Sequence, residues 1–504
     1  MFIVRNKLFI YIALCGVLVM TACSKKLNTN GQDPNGLAIV SLSGKDVFAA
    51  ALQATATNRI GACISPSYPG DNYDYAQEWM GYWSRNDGWS GSGLPAQIEA
   101  FAMTFNDANG LWQSVYHNIY DYTYVMGNST TGSILVGASR IMRSMLFEDL
   151  VDQFGNIPYS QAGLSAASPT PVYDSATTIY KSLIVQLDSA ITEVNASQST
   201  ADDAADVMFK GAKASWLAFA NTMKLRILLR QVPNVYSPTD AYITGELGQV
   251  AANGGYLQAG QDAAINPGYV DVSNQQNPFW GVYGFQPDNG SAYQNNSFFG
   301  ANTVVLDSLI KTGDPRLAYF FDTLPGGIYA GNYLGNPLQG ASPFGVGLLQ
   351  SPGQPSVILA SSQSLFMQAE AAERGMIAGS SITLFQSAVE QSFRYLAVPN
   401  PTAAADAFIA GSTDPFVNIA VSSNHLFTIL GQKWISECGL DGLEAYCDYR
   451  RTGLPALYGP ANGSAVPQKR ILYPETEFTQ NSANVNLQNE TSQSDTKIKI
   501  FWGQ

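Results

Sequence analysis

Apolar residues recur at three- and four-residue spacing through most of this chain, and that periodicity restricts it to a largely helical fold. The clearest case is Ser175 to Val194, where Ile179, Leu183, Leu187 and Ile191 share one face. Leu111 to Met126 and Ser139 to Phe154 repeat the pattern, and the Ala-rich stretch Ser43 to Asn58 offers Ser43 as a cap. Val207 to Gln231, Ser362 to Arg374, Thr383 to Leu396 and His425 to Cys438 complete the predicted set. Several fall in adjacent pairs of similar length, as in tetratricopeptide-like helical hairpins, although no clean 34-residue repeat is visible. The expected fold class is mainly α, a hairpin scaffold with long irregular loop insertions. Two stretches, 61–106 and 232–361, carry Gly, Pro, Asn and aromatics with few helical faces. Loops that long are usually functional, and their aromatic content argues against disorder.

The N-terminus reads as a secretion signal. Arg5 and Lys7 precede an uncharged apolar run from Leu8 to Met20, too short to span a bilayer. It ends at Met20-Thr21-Ala22-Cys23, which resembles a bacterial lipobox. Residues 1–22 are therefore expected to be removed, Cys23 to carry lipid, and 23–36 to tether a single domain over 37–504. Acyl chains on Cys23 would hold the chain at the membrane without a span.

Without the leader, 24 basic residues face 39 acidic ones, a formal charge of −15. Nucleic acid, which needs a basic stripe, is excluded as a partner. Apart from Cys23, the remaining cysteines are Cys63, Cys438 and Cys447, an odd number without metal-ligand spacing. His117 and His425 are the only histidines, so zinc hydrolysis and Ser-His-Asp chemistry have little to work with. No cofactor is called for, and a structural calcium stays open.

Short strings follow one another in a telling order. They include Leu27-Asn28-Thr29-Asn30, then Asp152-Gln153-Phe154-Gly155-Asn156-Ile157-Pro158-Tyr159, then Trp216 with Asn221-Thr222-Met223-Lys224-Leu225-Arg226. Further on stand Asp314-Pro315-Arg316, Ala369-Glu370-Ala371-Ala372-Glu373-Arg374, Gln432-Lys433-Trp434 and Asp448-Tyr449-Arg450-Arg451-Thr452-Gly453. Arg470-Ile471-Leu472-Tyr473-Pro474-Glu475 and Phe501-Trp502 close the series. In this order they resemble the SusD/RagB family of outer-membrane nutrient-binding lipoproteins, over nearly the whole chain past the leader. Two positions depart from the family's habit: Gly211-Ala212 where Gly-Asp is frequent, and Tyr446 where Trp is frequent. The resemblance implies a terminal strand bearing Trp502, attachment to the outer membrane, and a SusC-type TonB-dependent barrel as partner. It implies an oligosaccharide or peptide ligand, without choosing between them.

Physical reading of the charged motifs favours scaffold over catalysis. Glu370 and Glu373, three apart on an apolar helix, suit pairing with arginines from the Arg450-Arg451 turn, and Glu444 and Asp448 read the same way. A glycoside hydrolase would need two carboxylates across a cleft, and no string singles out such a pair. A purely structural adaptor is the remaining rival.

Two aromatic clusters are the ligand candidates. In the first, Tyr75, Trp79, Tyr82 and Trp83 share helical spacing and suit packing, while Arg85 and Trp89 follow, the latter between Gly88 and Ser90-Gly91-Ser92-Gly93. The second, from Asn274 to Phe299, interleaves Phe279, Trp280, Tyr283, Phe285 and Tyr293 with neutral amides including Asn289 and Asn295. Flat rings beside amides suit a sugar. No Lys or Arg lies between Arg230 and Lys311, which disfavours an anionic ligand there. The expected contacts are Trp83, Arg85, Trp89, Trp280, Tyr283, Tyr293 and Asn295, with no catalytic residue.

Overall fold

Side-chain caps set where the long helices begin. Ser133, Ser175, Asn302, Ser380, Asn424 and Asp441 each accept a first-turn backbone N–H, satisfying a donor that the helix itself leaves unpaired. The computed structural model describes residues 42–60, 73–86, 93–163, 167–336, 340–455, 466–488 and 498–504. The leader, Cys23, Cys63 and Trp89 lie outside them. Helices of ten residues or more are α1 (Gly44–Ile60), α2 (Asn109–Asn128), α3 (Ile134–Phe154), α4 (Ala176–Ala196), α5 (Lys213–Arg230), α6 (Thr303–Thr312), α7 (Ser361–Glu373), α8 (Ser381–Tyr395), α9 (Pro401–Gly411), α10 (His425–Glu437) and α11 (Gly442–Thr452). None among the described residues is long and apolar enough to cross a membrane.

Residues from Gly44 to Gln504 form one compact unit. Within it α1 packs on α2, α2 on α3, α3 on α4 and α4 on α5, and a second series runs α7, α8, α9 with α10 beside α7. This is the expected run of helical hairpins. Among the described residues, two small antiparallel sheets complete it: β1 (Trp83–Arg85) with β3 (Phe299–Ala301), and β2 (Ala263–Ile265) with β4 (Ser356–Leu359).

Several boundaries differ from the expected ones for local reasons. The helix predicted from Val207 begins only at Lys213. Asp206 instead accepts the N–H groups of Met208, Phe209 and Gly211, and Gly211 has a φ of 77° that no helix accommodates. α3 starts before Ser139, at Ile134. The Arg450-Arg451 pair lies in the last turn of α11 and not in a turn between elements. The loop-rich insert contains α6 and the short helices Ala241–Gly248 and Pro278–Tyr283. Phe501 and Trp502 form a turn rather than the strand that the family resemblance implies. Trp502 is fully buried there, its indole N–H donating to Asp152 Oδ1 at 3.2 Å.

A chain of buried charges crosses the helical layers. Arg59 of α1 pairs with Asp149 of α3, and Arg226 of α5 holds Glu148 of α3 at 2.7 Å. Arg230 reaches Asp152 at 3.1 Å and Glu444 at 2.6 Å. Lys433 of α10 lies 2.6 Å from both Glu444 and Asp448, and Arg451 joins Asp448 to Glu370 of α7 at 2.8 and 2.7 Å. Breaking one such pair strands its partner's charge in a dry interior, which is why these positions fix how the layers register. The carboxylates of Glu437, Glu444 and Asp448 converge closely enough to suggest a metal cage. The Lys433 ammonium already neutralises that spot, lying also 3.7 Å from Glu437. Glu370 is paired as expected, whereas Glu373 faces Ser381 and His425 near the surface.

Candidate ligand-binding site

The second aromatic cluster folds into a braced surface. Asn277 caps the helix Pro278–Tyr283 by accepting the Trp280 N–H at 3.0 Å. Its amide donates to Gln354 O at 2.9 Å and Ser356 Oγ at 3.0 Å, tying the helix start to β4. At the other end Gly284 lies against the Trp280 ring. A Cβ there would stand 2.8 Å from the indole, so only glycine lets the ring take this position.

Beyond Gly284 the chain turns back on itself. Gln286 N donates to Ser291 O at 2.8 Å and Tyr293 N to Gly284 O at 2.9 Å, closing a loop over Phe285 and Ala292. Gln276 stitches it down, donating to Asp271 Oδ1 at 2.7 Å and Phe285 O at 3.1 Å while accepting from the Tyr293 hydroxyl at 2.7 Å. The Trp280 indole N–H is spent on Phe285 O at 3.2 Å. Trp280 therefore offers a ring face, and not a donor, to anything placed on it. It is half-buried, with the 40% exposed Phe285 ring 5.7 Å away. Burial, with Asp271 and Asp288 adding to it, lifts the half-exposed Tyr293 phenol above its usual range, so it stays neutral.

Beneath this surface is an enclosed aromatic box. Trp83, from β1, has ring centroids of Phe344 at 4.8 Å, Tyr283 and Phe299 at 5.5 Å and Phe279 at 6.2 Å. The β1–β3 register, which sets Arg85 opposite Phe299, holds it in place. Arg85 is buried too, bound to Glu78 at 2.7 and 3.2 Å with its guanidinium over the Phe299 ring. Burial pushes the Glu78 carboxyl up to about 7, with Arg85 pulling the other way.

The expected contact residues thus separate. Trp280 and Tyr293 lie together at the surface. Trp83, Arg85, Tyr283 and Asn295 are enclosed below, where they support the face without access to what lies on it. Asn295 Oδ1 has no protein partner among the described residues. Asn86 donates to Ser297 O at 3.0 Å, and the expected contact Trp89 lies outside the described residues. Gln276 and Phe285 brace this candidate face; the sequence named Phe285 among the cluster's aromatics but not among the expected contacts, and did not name Gln276. Their only signal was membership of a Gln- and aromatic-rich run.

Fold and site define a class first: a helical-hairpin scaffold carrying a loop-built aromatic face. A family profile described as starch-binding and associating with the outer membrane matches residues 45–474, and the chain belongs to this SusD-like family. Solved structures agree on the fold. A chitin-binding protein is 24% identical with a TM-score of 0.70, the match covering 91% of this chain and 100% of that one. A chitin-binding SusD homolog from Flavobacterium johnsoniae is 21% identical with a TM-score of 0.71, covering 90% and 98%. A SusD homolog from Bacteroides uniformis is 22% identical with a TM-score of 0.69, covering 91% and 99%. Among curated protein sequences, none matches.

Proposed function

We propose that this protein binds a neutral oligosaccharide on the Trp280–Tyr293 face, without catalysis, as a Cys23-lipidated protein on the outside of the outer membrane, and hands it to a SusC-type TonB-dependent barrel. One observation carries the ligand class: a half-buried indole whose N–H is already bonded presents its face beside Tyr293, Gln276 and exposed amides. A pyranose offers a C–H face edged with hydroxyls, which such a surface complements. The 231–310 segment supplies no Lys or Arg and Asp271 and Asp288 lie close by, so an anionic ligand on this face would meet like charge. Chitin fragments are the first candidates because two structural relatives are named for chitin, and starch fragments follow from the family's description.

Calorimetry with chitohexaose and maltohexaose tests the reading. Trp280→Ala and Tyr293→Ala should each cost on the order of 1–3 kcal/mol of binding, as expected for anchoring aromatics. The affinity should barely change between low and high salt, since few charges meet. Wild-type affinity in both variants, or a steep salt dependence, would sink the assignment. Delivery is tested by gentle detergent extraction: the protein should co-purify with a large β-barrel, and its recovery alone would count against that step.

A further inference from the structure

A cleft of about 1000 Å3 opens between the C-terminal ends of α6 and α9, the 412–416 segment and the first turn of α10. It shares no residue with the aromatic face. Phe416 and Phe427 form one wall, edge to face with centroids 5.8 Å apart, and both are half-buried, so part of each ring meets the open space. At the rim Lys311 Nζ stands 3.9 Å from Asp414 Oδ2. The Lys311 side chain is 80% exposed, so this pairing contributes little to stability and leaves both groups free to engage something else. Asp414 is nonetheless held, because its other carboxylate oxygen accepts the Phe416 N–H at 2.9 Å.

We propose that this cleft is a second carbohydrate site, taking a neutral sugar with its C–H face on Phe416 and Phe427. Neighbouring hydroxyls of one ring then divide between Asp414, which only accepts, and Lys311, which only donates. The volume lies at the upper end of the range for small-molecule sites. A peptide is a poorer fit, since helix ends and a loop line the cleft and no strand edge is there to pair with an extended backbone. An anion drawn to Lys311 would meet Asp414 beside it. The two sites belong to one frame: Asn302, next after β3, caps α6, and the cleft opens at that helix's far end, roughly 15 Å along its axis. Only the ligand class rests on the oligosaccharide reading above.

Titration of the full chain with chitohexaose and with maltohexaose is expected to resolve two binding events. Lys311→Ala, a surface change, should weaken one of them about tenfold. Gly411→Leu should abolish that same event, since a side chain at Gly411 meets no atom within 4 Å and would project into open space. Neither variant should alter the event sensitive to Trp280→Ala. A single event lost with Trp280→Ala and untouched by Gly411→Leu overturns the cleft and keeps the aromatic face. A single event with the opposite pattern keeps the cleft and overturns the face. Absence of binding by either oligosaccharide overturns both.

Discussion

Trp83 is 2% exposed and touches four aromatic rings, whereas Trp280, in the layer above, is half-buried. Trp83→Ala would leave a cavity that its neighbours, fixed by the β1–β3 pairing and the helix Pro278–Tyr283, cannot readily fill. It is expected to cost about 3–5 kcal/mol of stability. Trp280→Ala should cost less than half as much while removing the proposed ligand contact. Denaturant unfolding of both variants checks this, and equal losses would place Trp280 in the core. The spacing of Trp83 with Tyr75, Trp79 and Tyr82 pointed to packing, which its burial bears out, yet Trp83 was also expected to touch ligand, because its local run cannot show how far it is enclosed. Burial of Trp83 is decided by Phe279, Phe299 and Phe344, far along the chain. Arg85 was hidden for a similar reason: its partner Glu78 lies seven residues earlier, across the end of a short helix and the start of a strand. The Glu370–Arg451 pair was legible, since an acid on an apolar helix has to find a cation.

Helices with both a repeating apolar face and a capping side chain were readable to within a few residues, as α4 with Ser175 and α8 with Ser380 show. α11 was missed although Asp441 and Gly453 bracket it, because its face is crowded with charges that only the buried network explains. Where two helices press together, a single methyl group is informative. At Gly137 in α3 an added Cβ would lie 2.7 Å from Val194 Cγ2 and 3.0 Å from Ala190 O on α4. Alanine would favour the helix by about 1 kcal/mol. Prying the pair apart should cost about 1–3 kcal/mol, so overpacking is expected to win or cancel the gain. Thermal unfolding of Gly137→Ala decides it: a clearly raised midpoint would mean that the α3–α4 contact relaxes freely.

The molecule's response to pH follows from how burial and pairing divide its interior carboxylates. Burial raises Glu78 to about 7 against the pull of Arg85. It raises Glu437 well above its usual range, with Glu444, Asp448 and Asp441 adding to the effect and Lys433 opposing it. Glu370 goes the other way: burial pushes it up, but Arg451 and Arg374 more than offset that and hold it at about 2. An acid raised in the folded state binds its proton more tightly there than in the unfolded chain. Stability from Glu78 and Glu437 is therefore full below about pH 4.5 and declines as pH rises toward 7 and beyond. Glu370 contributes stability above about pH 4.5 and loses it as pH falls toward 2. The chain's net charge of −13 at pH 7, with a pI near 4.6, adds self-repulsion at neutral pH that vanishes near the same point. The raised carboxylates and the net charge place the maximum on the acidic side of neutrality, and Glu370 sets the loss at still lower pH. The unfolding midpoint, scanned from pH 3 to 8, should peak at about pH 5 and fall on both sides. A profile that rises steadily to pH 7.5 would mean that the buried carboxylates are ionised and fully matched by their cations, and that the interior charge network stabilises this fold at neutral pH.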